Sequence, residues 1–224
     1  MVDKEKLAYW IGVVQTDGFL HLKKKSKNSD LRTLFVTVGV GEKSLNMLNK
    51  FRQYSEDLFG LNPKTFYDKR SKNHVFRMGV TRLKDFFEEK KIDFSDPPKP
   101  PKWITDNKKL FGAYLAGVID GDGDIRIKEE NSVCLIRVSS GCEQNELKTA
   151  ILRNLRCGVH ICKRSSIRTL DGREIRGTWF ELEFGVSGKT YEFLRNFVID
   201  HIAIDHKSNR LRNFIENRYA PSGI

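Results

Sequence analysis

Residues 8–18 read AYWIGVVQTDG, and residues 113–123 read AYLAGVIDGDG. The two stretches lie 105 positions apart and are identical at six of eleven positions, including the final Asp17-Gly18 and Asp122-Gly123. Each is an apolar segment of helical length that closes on glycine, a residue common at helix ends. The repetition predicts that the chain contains two copies of one structural unit.

The elements that follow each stretch also repeat. Leu20 and Leu22 in the first copy, and Ile125 and Ile127 in the second, alternate with polar residues and predict a strand with one inward and one outward face. The fold class is therefore α+β, a tandem αββαββα repeat with pseudo-twofold symmetry whose antiparallel sheets form a saddle. The remaining predicted elements are second strands at 31–40 and 132–140, a middle helix in each copy, strand pairs near 63–80 and 157–187, closing helices near 81–91 and 188–200, and a last helix near 206–218.

A proline-rich stretch separates the copies. Residues 96–102 read DPPKPPK, and four prolines favour an extended, stiff connection over a helix or strand. The sequence therefore predicts a first half at 1–95, a linker at 96–105 and a second half at 106–224. The alternative is that the prolines form a recognition peptide for another protein.

The charge balance points to a polyanionic partner. The chain has 40 Lys and Arg against 29 Asp and Glu, a formal charge of +11. The excess is spread over both halves, +8 for residues 1–105 and +3 for 106–224, so it does not come from one basic tail. Nucleic acid is the leading partner class, although many basic proteins bind none.

Other features restrict the class further. No run of about 18 apolar residues predicts a membrane span, and the first ten residues lack the apolar core of a signal peptide. We therefore expect an intracellular protein, in the cytoplasm or nucleoid, or in an organelle of a eukaryote. Four cysteines lack paired zinc-site spacing and are expected to be free thiols: Cys134, Cys142, Cys157 and Cys162.

Small residues in the repeated helices predict a close crossing. Ala8 and Gly12 are four apart, as are Ala113 and Gly117, so each pair lies on one helix face and lets two backbones approach. Such a crossing would bring Asp17 and Asp122 together at the helix ends. Two neighbouring carboxylates repel, and Mg2+ with oxygen ligands is the natural neutraliser. The alternative is a pair of ordinary Asp-Gly turns.

Residues 115–123, LAGVIDGDG, closely resemble the LAGLIDADG motif of homing endonucleases and related maturases, and residues 10–18, WIGVVQTDG, are a looser match. The resemblance covers nearly the whole chain, since the repeat and linker also match two-motif members. It implies that Asp17 and Asp122, at the eighth motif position, are the catalytic metal ligands. The sixth position is usually acidic; Asp120 conforms and Gln15 does not, and this position is expected to support the helix end.

The resemblance also implies a set of further residues and ions. Lysines after the last helix of each half, Lys102 and Lys207, are expected in catalysis, and Thr16 and Gly121 as further metal ligands. Gly39 and Gly141 stand roughly where some members carry a glutamine. Two or three Mg2+ or Mn2+ ions are expected at a shared site, with Ca2+ substituting without supporting cleavage.

The strands carry cations at positions that alternate with apolar residues, which predicts outward faces that contact DNA. A β-ribbon fits the major groove, where Arg and Lys read guanine edges. The alternative for each cation is an ordinary solvated side chain. The predicted DNA-binding residues are His21, Lys23, Lys25, Arg32, Lys64, Lys69, Arg70, Arg77, Arg126, Lys128, Arg137, Lys163, Arg164, Arg168, Arg173 and Arg176.

These observations favour a metal-dependent, site-specific endonuclease. The two halves differ, so we expect a monomer that recognises a long asymmetric double-stranded site. The resemblance implies short 3′ overhangs and intron homing. The alternative is a binding protein on the same scaffold: a maturase that helps an intron RNA to splice, or a DNA-binding regulator.

Overall fold

The two sequence copies form two similar arrangements of helices and strands. The structure is a computed structural model that describes residues 2–24, 32–128, 133–170 and 173–219. The first copy contains α1 (Lys4–Val14), β1 (Gly18–Lys24), β2 (Arg32–Val40), α2 (Leu45–Phe59), β3 (Lys64–Asp68), β4 (Asn73–Gly79) and α3 (Lys84–Glu89). The second contains α5 (Lys108–Asp122), β5 (Gly123–Lys128), β6 (Val133–Ser140), α6 (Asn145–Leu155), β7 (Val159–Leu170), β8 (Arg173–Gly185), α7 (Lys189–Phe197) and α8 (Asp205–Tyr219).

Each copy has one antiparallel sheet of four strands. The strand order is β1-β2-β4-β3 in the first sheet and β5-β6-β8-β7 in the second. In each sheet the strand that follows the repeated helix is an edge strand paired with its sequence neighbour. The predicted fold class is confirmed: the chain is α+β, with two four-stranded antiparallel sheets and eight helices in its described part.

The repeated helices α1 and α5 cross at the centre of the molecule. A Cβ atom placed on Gly12 would overlap the carbonyl oxygen of Tyr114 and lie 3.0 Å from the Val118 nitrogen. One placed on Gly117 would overlap the carbonyl oxygen of Tyr9 and lie 3.1 Å from the nitrogen of Val13. Only glycine leaves room for backbones this close, so the helices meet through Gly12 and Gly117. Ala8 and Ala113 are fully buried on the same helices.

The ends of the repeated helices follow from local sequence. Asp3 precedes α1 and accepts hydrogen bonds from the backbone N–H groups of Glu5 and Lys6 at 3.0 and 3.1 Å. Asn107 precedes α5 and accepts from Lys109 and Leu110. Both side chains satisfy helix N–H groups that have no partner within the helix.

The proline-rich segment differs in part from the predicted extended linker. Residues 102–105 form a short helix, α4 (Lys102–Thr105), which begins directly after Pro101. Pro97, Pro98 and Pro101 are buried, so the segment packs against the molecule. The prolines prevent helix before residue 102, but they place no restriction on the residues after them.

The strand alternation is correct for most residues but not for Leu22. Ile125 is buried and Leu20 and Ile127 are partly buried against the core, as predicted, whereas Leu22 is 58% exposed. Leu22 lies near the end of β1, opposite Leu34, where the helical layer no longer covers the sheet. No helix in the described part of the chain is long and apolar enough to cross a bilayer.

Candidate active site

Asp17 and Asp122 lie where the two central helices end. Asp17 follows α1 by three residues, and Asp122 is the last residue of α5. The two ends touch, because a Cβ atom placed on Gly121 would overlap the Thr16 side chain and lie 3.4 Å from the backbone nitrogen of Asp17. The close helix crossing therefore delivers both carboxylates to one place between the two sheets.

The electrostatics of the two aspartates reflect this arrangement. Burial raises the pKa of Asp17 to about 6, and the charge of Asp122 raises it further against the opposing effect of Lys207. Burial also raises the pKa of Asp122 to about 6, with a smaller contribution from Asp96 and an opposing one from Lys207. Each carboxylate is thus partly desolvated and lies in the field of another acid, an environment that favours a bound cation.

Lys207 lies next to this pair. Its Nζ donates hydrogen bonds of 2.7 and 2.8 Å to the carbonyl oxygens of Ile119 and Asp120, and approaches the Gly121 carbonyl at 3.4 Å. Burial lowers the pKa of Lys207, while nearby aspartates raise it. Lys207 therefore places a positive charge at the end of α5, where the helix carbonyls are otherwise unpaired.

The sixth motif position supports the helix ends in both copies. Asp120 is buried and accepts hydrogen bonds from the backbone N–H groups of Ala203 and Ile204 at 2.7 and 3.0 Å. Gln15 is also buried; its Oε1 accepts from the Lys99 N–H at 3.2 Å and its Nε2 donates to the Lys99 carbonyl at 3.0 Å. A glutamine replaces the acid because this backbone segment offers an acceptor as well as a donor.

Lys102 is not at the site, contrary to the sequence-based prediction. Its side chain is 81% exposed and pairs with Asp106 at 2.5 Å, one helical turn further on. It lines a surface cavity together with Val2 and Lys4, at the start of α1, whereas Asp17 follows the end of that helix. Asp106 supplies a partner on the wrong side, and the Lys102 side chain turns away.

The described residues fit a divalent metal that keeps most of its ligands as water and phosphate. No group of three or more His, Cys, Asp and Glu side chains in the described ranges is arranged to enclose a metal. Mg2+ commonly binds through one or two carboxylates and retains waters, so Asp17 and Asp122 meet its requirements. The Thr16 hydroxyl donates to the Gly12 and Val13 carbonyls at 2.9 and 3.1 Å. Any ligation by Thr16 or Gly121 would therefore use the backbone carbonyl.

The outward face of the first sheet carries three of the predicted cations and a histidine. Strand register places Lys64, Arg77 and Phe19 in one row across the sheet, and His21 and Lys23 in the rows beyond. This face is opposite to the one that carries Leu20, Val36 and Met78 in the core. Cations here face away from the packed helices.

The second sheet presents a face in which cations are already paired with acids. Arg126, Lys128 and Arg137 share its outward face by register, as does Arg164. Arg137 contacts Asp124 at 2.5 Å and Glu181 at 3.5 Å, and Glu181 also binds Arg164 at 3.0 Å. Sequence reasoning missed these acids, although Asp124 and Glu181 alternate with apolar residues as the cations do.

The other predicted DNA-binding residues are placed elsewhere. Register puts Arg32, Lys163 and Arg176 on the opposite face of their strands from Lys23 and Arg164, which corrects the expectation that all these cations share one surface. Lys69 and Arg70 lie in the turn between β3 and β4. Lys25 lies outside the described residues, and Arg168 and Arg173 are described only by their backbone positions in β7 and β8.

Two central helices that end in paired aspartates beneath two four-stranded sheets define the fold of the LAGLIDADG homing endonucleases. The homing endonuclease I-DmoI, crystallised with DNA and Ca, matches 94% of this chain and 98% of its own, with a TM-score of 0.59 and 16% identity. A lysine-to-alanine variant of I-SmaMI matches 98% of this chain and 93% of its own, with a TM-score of 0.53 and 14% identity.

A third protein shares the architecture. The full-length DUF199/WhiA protein from Thermatoga maritima matches all of this chain and 64% of its own, with a TM-score of 0.54 and 10% identity. No protein-family model and no curated protein sequence matches the chain. The likeness therefore rests on the fold.

Proposed function

We propose that this chain is a divalent-metal-dependent, site-specific endonuclease of double-stranded DNA. The observation that carries the proposal is the meeting of Asp17 and Asp122 at the ends of the crossing helices, beneath two sheets with outward cations. The fold neighbour I-DmoI has been crystallised with DNA in the presence of Ca, Mn and Mg, which supports both the substrate class and the ion.

The proposed reaction is hydrolysis of one phosphodiester in each strand. A water oxygen forms a bond to phosphorus as the bond from phosphorus to the 3′ oxygen breaks, and the water proton ends on that 3′ oxygen. Mg2+ or Mn2+, when bound, lowers the pKa of a coordinated water and neutralises charge on the phosphate. Asp17 and Asp122, with the carbonyls of Thr16 and Gly121, would hold the ions.

The chain's own residues contribute position and charge. Lys207 holds the end of α5 through the Ile119 and Asp120 carbonyls, which fixes where Asp122 points. Its positive charge also lowers the pKa of both aspartates, which favours their ionised, metal-binding forms. Lysine and arginine side chains on the sheets would bind phosphates and supply most of the affinity.

The difference between the halves bears on the target. Because the two outward faces carry different residues, one molecule would recognise a long asymmetric site, and a monomer would suffice. We further propose that the strands are cut to leave short 3′ overhangs, and that the protein serves intron homing.

The test is selection of cleaved duplexes from a random double-stranded library in Mg2+. The proposal expects one long, asymmetric consensus for the wild-type protein and no cleaved products for an Asp17→Asn/Asp122→Asn double variant. A parallel selection for bound duplexes in Ca2+ separates the classes. A consensus that is bound but never cut would establish a DNA-binding regulator instead. Absence of duplex binding, with splicing activity on an intron RNA, would establish a maturase.

A further inference from the structure

The two sheets differ most in the row of residues nearest the aspartates. Phe19 and Asp124 occupy matched positions, each two residues after its aspartate. The rows they begin run across the sheets by direct strand pairing. The row of the first sheet is Phe19, Thr37, Arg77 and Lys64; that of the second is Asp124, Arg137, Glu183 and His160.

The first sheet exposes large apolar side chains on its outward face. Phe19 is 55% exposed and Phe66 is 43% exposed, and both lie on the face opposite to the core. Phe19 and Phe35 flank the imidazole of His21, with ring centroids 5.0 and 5.7 Å apart. Among the described side chains of the second sheet, the large apolar one exposed to this degree is Ile167, which register places on the other face.

The charges around these rings favour a nucleic-acid partner over an apolar protein surface. Lys64 and Arg77 lie in the same row as Phe19, and Lys23 lies two residues further along β1. The Arg77 guanidinium lies 5.3 Å from the centre of the Phe66 ring. Exposed rings that are interleaved with cations match a duplex groove, in which phosphates border the apolar edges of the bases.

We propose that the first sheet recognises thymine through its C5-methyl group, with Phe19 and Phe66 as the contacting side chains. The second sheet, whose matched row is polar and charged, recognises its half of the site through hydrogen bonds. The inference rests on the proposed function, because it assumes that the chain binds a specific duplex. It adds which chemistry reads each half-site.

The physical basis is the pattern of groups in the major groove. Thymine presents a methyl group there, and apolar side chains, phenylalanine among them, read it by contact. Aspartate accepts from the cytosine amino group and arginine donates to guanine, so Asp124 and Arg137 suit C·G pairs instead. Replacing thymine by uracil removes the methyl group and leaves every base-pairing group in place.

The experiment is a binding scan on the selected target duplex in Ca2+. Each thymine is replaced singly by uracil, and dissociation constants are measured for wild type, Phe19→Ala, Phe66→Ala and Leu22→Ala. Leu22 is the matched control, since it lies on the same strand as Phe19 with similar exposure but on the opposite face. The aromatic variants change exposed side chains, and their melting curves check that they fold.

We expect wild type to lose about fourfold in affinity for each contacted thymine, the value for burying one CH2-sized group. The sensitive thymines should all lie on one side of the cleavage centre. Phe19→Ala or Phe66→Ala should abolish sensitivity at one or more of them, and Leu22→Ala should change none. Uracil tolerated throughout, or a Phe19→Ala and Phe66→Ala profile identical to wild type, overturns the inference while the endonuclease proposal stands. Failure to select any duplex overturns both.

Discussion

Tyr9 on α1 donates a hydrogen bond of 2.7 Å to the carboxylate of Asp120 on α5. The mirror contact links Tyr114 on α5 to Gln15 at the end of α1, also at 2.7 Å. Both tyrosines are fully buried, so each hydroxyl depends on its partner from the other copy. The two halves are thus joined at the helix crossing by reciprocal polar contacts directly behind Asp17 and Asp122.

The two tyrosine contacts are expected to differ in strength. Asp120 accepts three hydrogen bonds as an acid, whereas Gln15 is neutral. Tyr9→Phe should lower the free energy of unfolding by about 1.5–3 kcal/mol, and Tyr114→Phe by about 0.5–1.5 kcal/mol. Urea unfolding of the two variants beside wild type measures both values. A larger loss for Tyr114→Phe would contradict this account of the crossing.

The glycine contact between the helices is expected to tolerate no side chain. Gly117→Ala should lower the free energy of unfolding by about 1–3 kcal/mol or more, because its Cβ would meet the backbone of α1. Gly141→Ala is the matched control, since nothing lies within 4 Å of a Cβ atom placed there. Thermal melting compares the two variants. Equal melting temperatures would show that α1 and α5 do not meet through Gly117.

How much the sequence could predict depends on what the repeat encodes. The 105-residue offset and the small residues at Gly12 and Gly117 sufficed for the fold, because matched patterns must fold alike and only glycine permits the crossing. The offset also equates Lys102 with Lys207, and there it misleads. A helix partner four residues away, Asp106, draws the Lys102 side chain to the surface, and a repeat does not encode such local competition.

Other features depend on tertiary extent rather than on period. Alternation gives the face of Leu22 but not where the helical layer ends, so its exposure could not be predicted. The long β7–β8 hairpin likewise carries Lys163 and Arg164 on opposite faces, which a count of cations cannot resolve. Asp96, which raises the pKa of Asp122, has no acidic counterpart at the matched position, where His201 stands, so the repeat gave no signal for it.

The pKa values of the aspartates predict how stability depends on pH without metal. A carboxyl whose pKa rises from 3.8 to about 6 on folding binds its proton more tightly in the folded chain. Its contribution to stability is complete below about pH 4 and is lost as the pH rises through about 6. Asp17→Asn should therefore be more stable than wild type at pH 7.5 in EDTA, and the difference should vanish near pH 4. A difference independent of pH would contradict the raised pKa.

Metal binding should reverse this penalty. Mg2+ binds the ionised carboxylates, so it should raise the melting temperature of wild type at pH 7.5 and have less effect at pH 5, where protons compete. The Asp17→Asn/Asp122→Asn variant should show no comparable increase at either pH. Calorimetry with Mg2+ and with EDTA gives the four values. Equal stabilisation of wild type and the double variant would place the ion elsewhere.

Lys207 is expected to set the acidic limb of the activity profile. Lys207→Met removes the cation that lowers the pKa of Asp17 and Asp122, so the fall in cleavage rate at low pH should move to higher pH. Lys102→Met is the matched control because its side chain lies in solvent at the far end of α1. Rates on the selected duplex between pH 5 and pH 9 give the profiles. Superimposable profiles for Lys207→Met and wild type would exclude this role.

The measurement that tests the central claim most directly compares cutting with binding for single aspartate variants. Asp17→Asn and Asp122→Asn are each assayed on the selected duplex, for cleavage in Mg2+ and for affinity in Ca2+. The account predicts that each variant loses double-strand cleavage, because one ligand of the shared metal site is gone. It also predicts that affinity changes little, because Lys and Arg contacts to phosphate remain. Double-strand cleavage at the wild-type rate by either variant would contradict the claim that the two helix ends form one catalytic metal site.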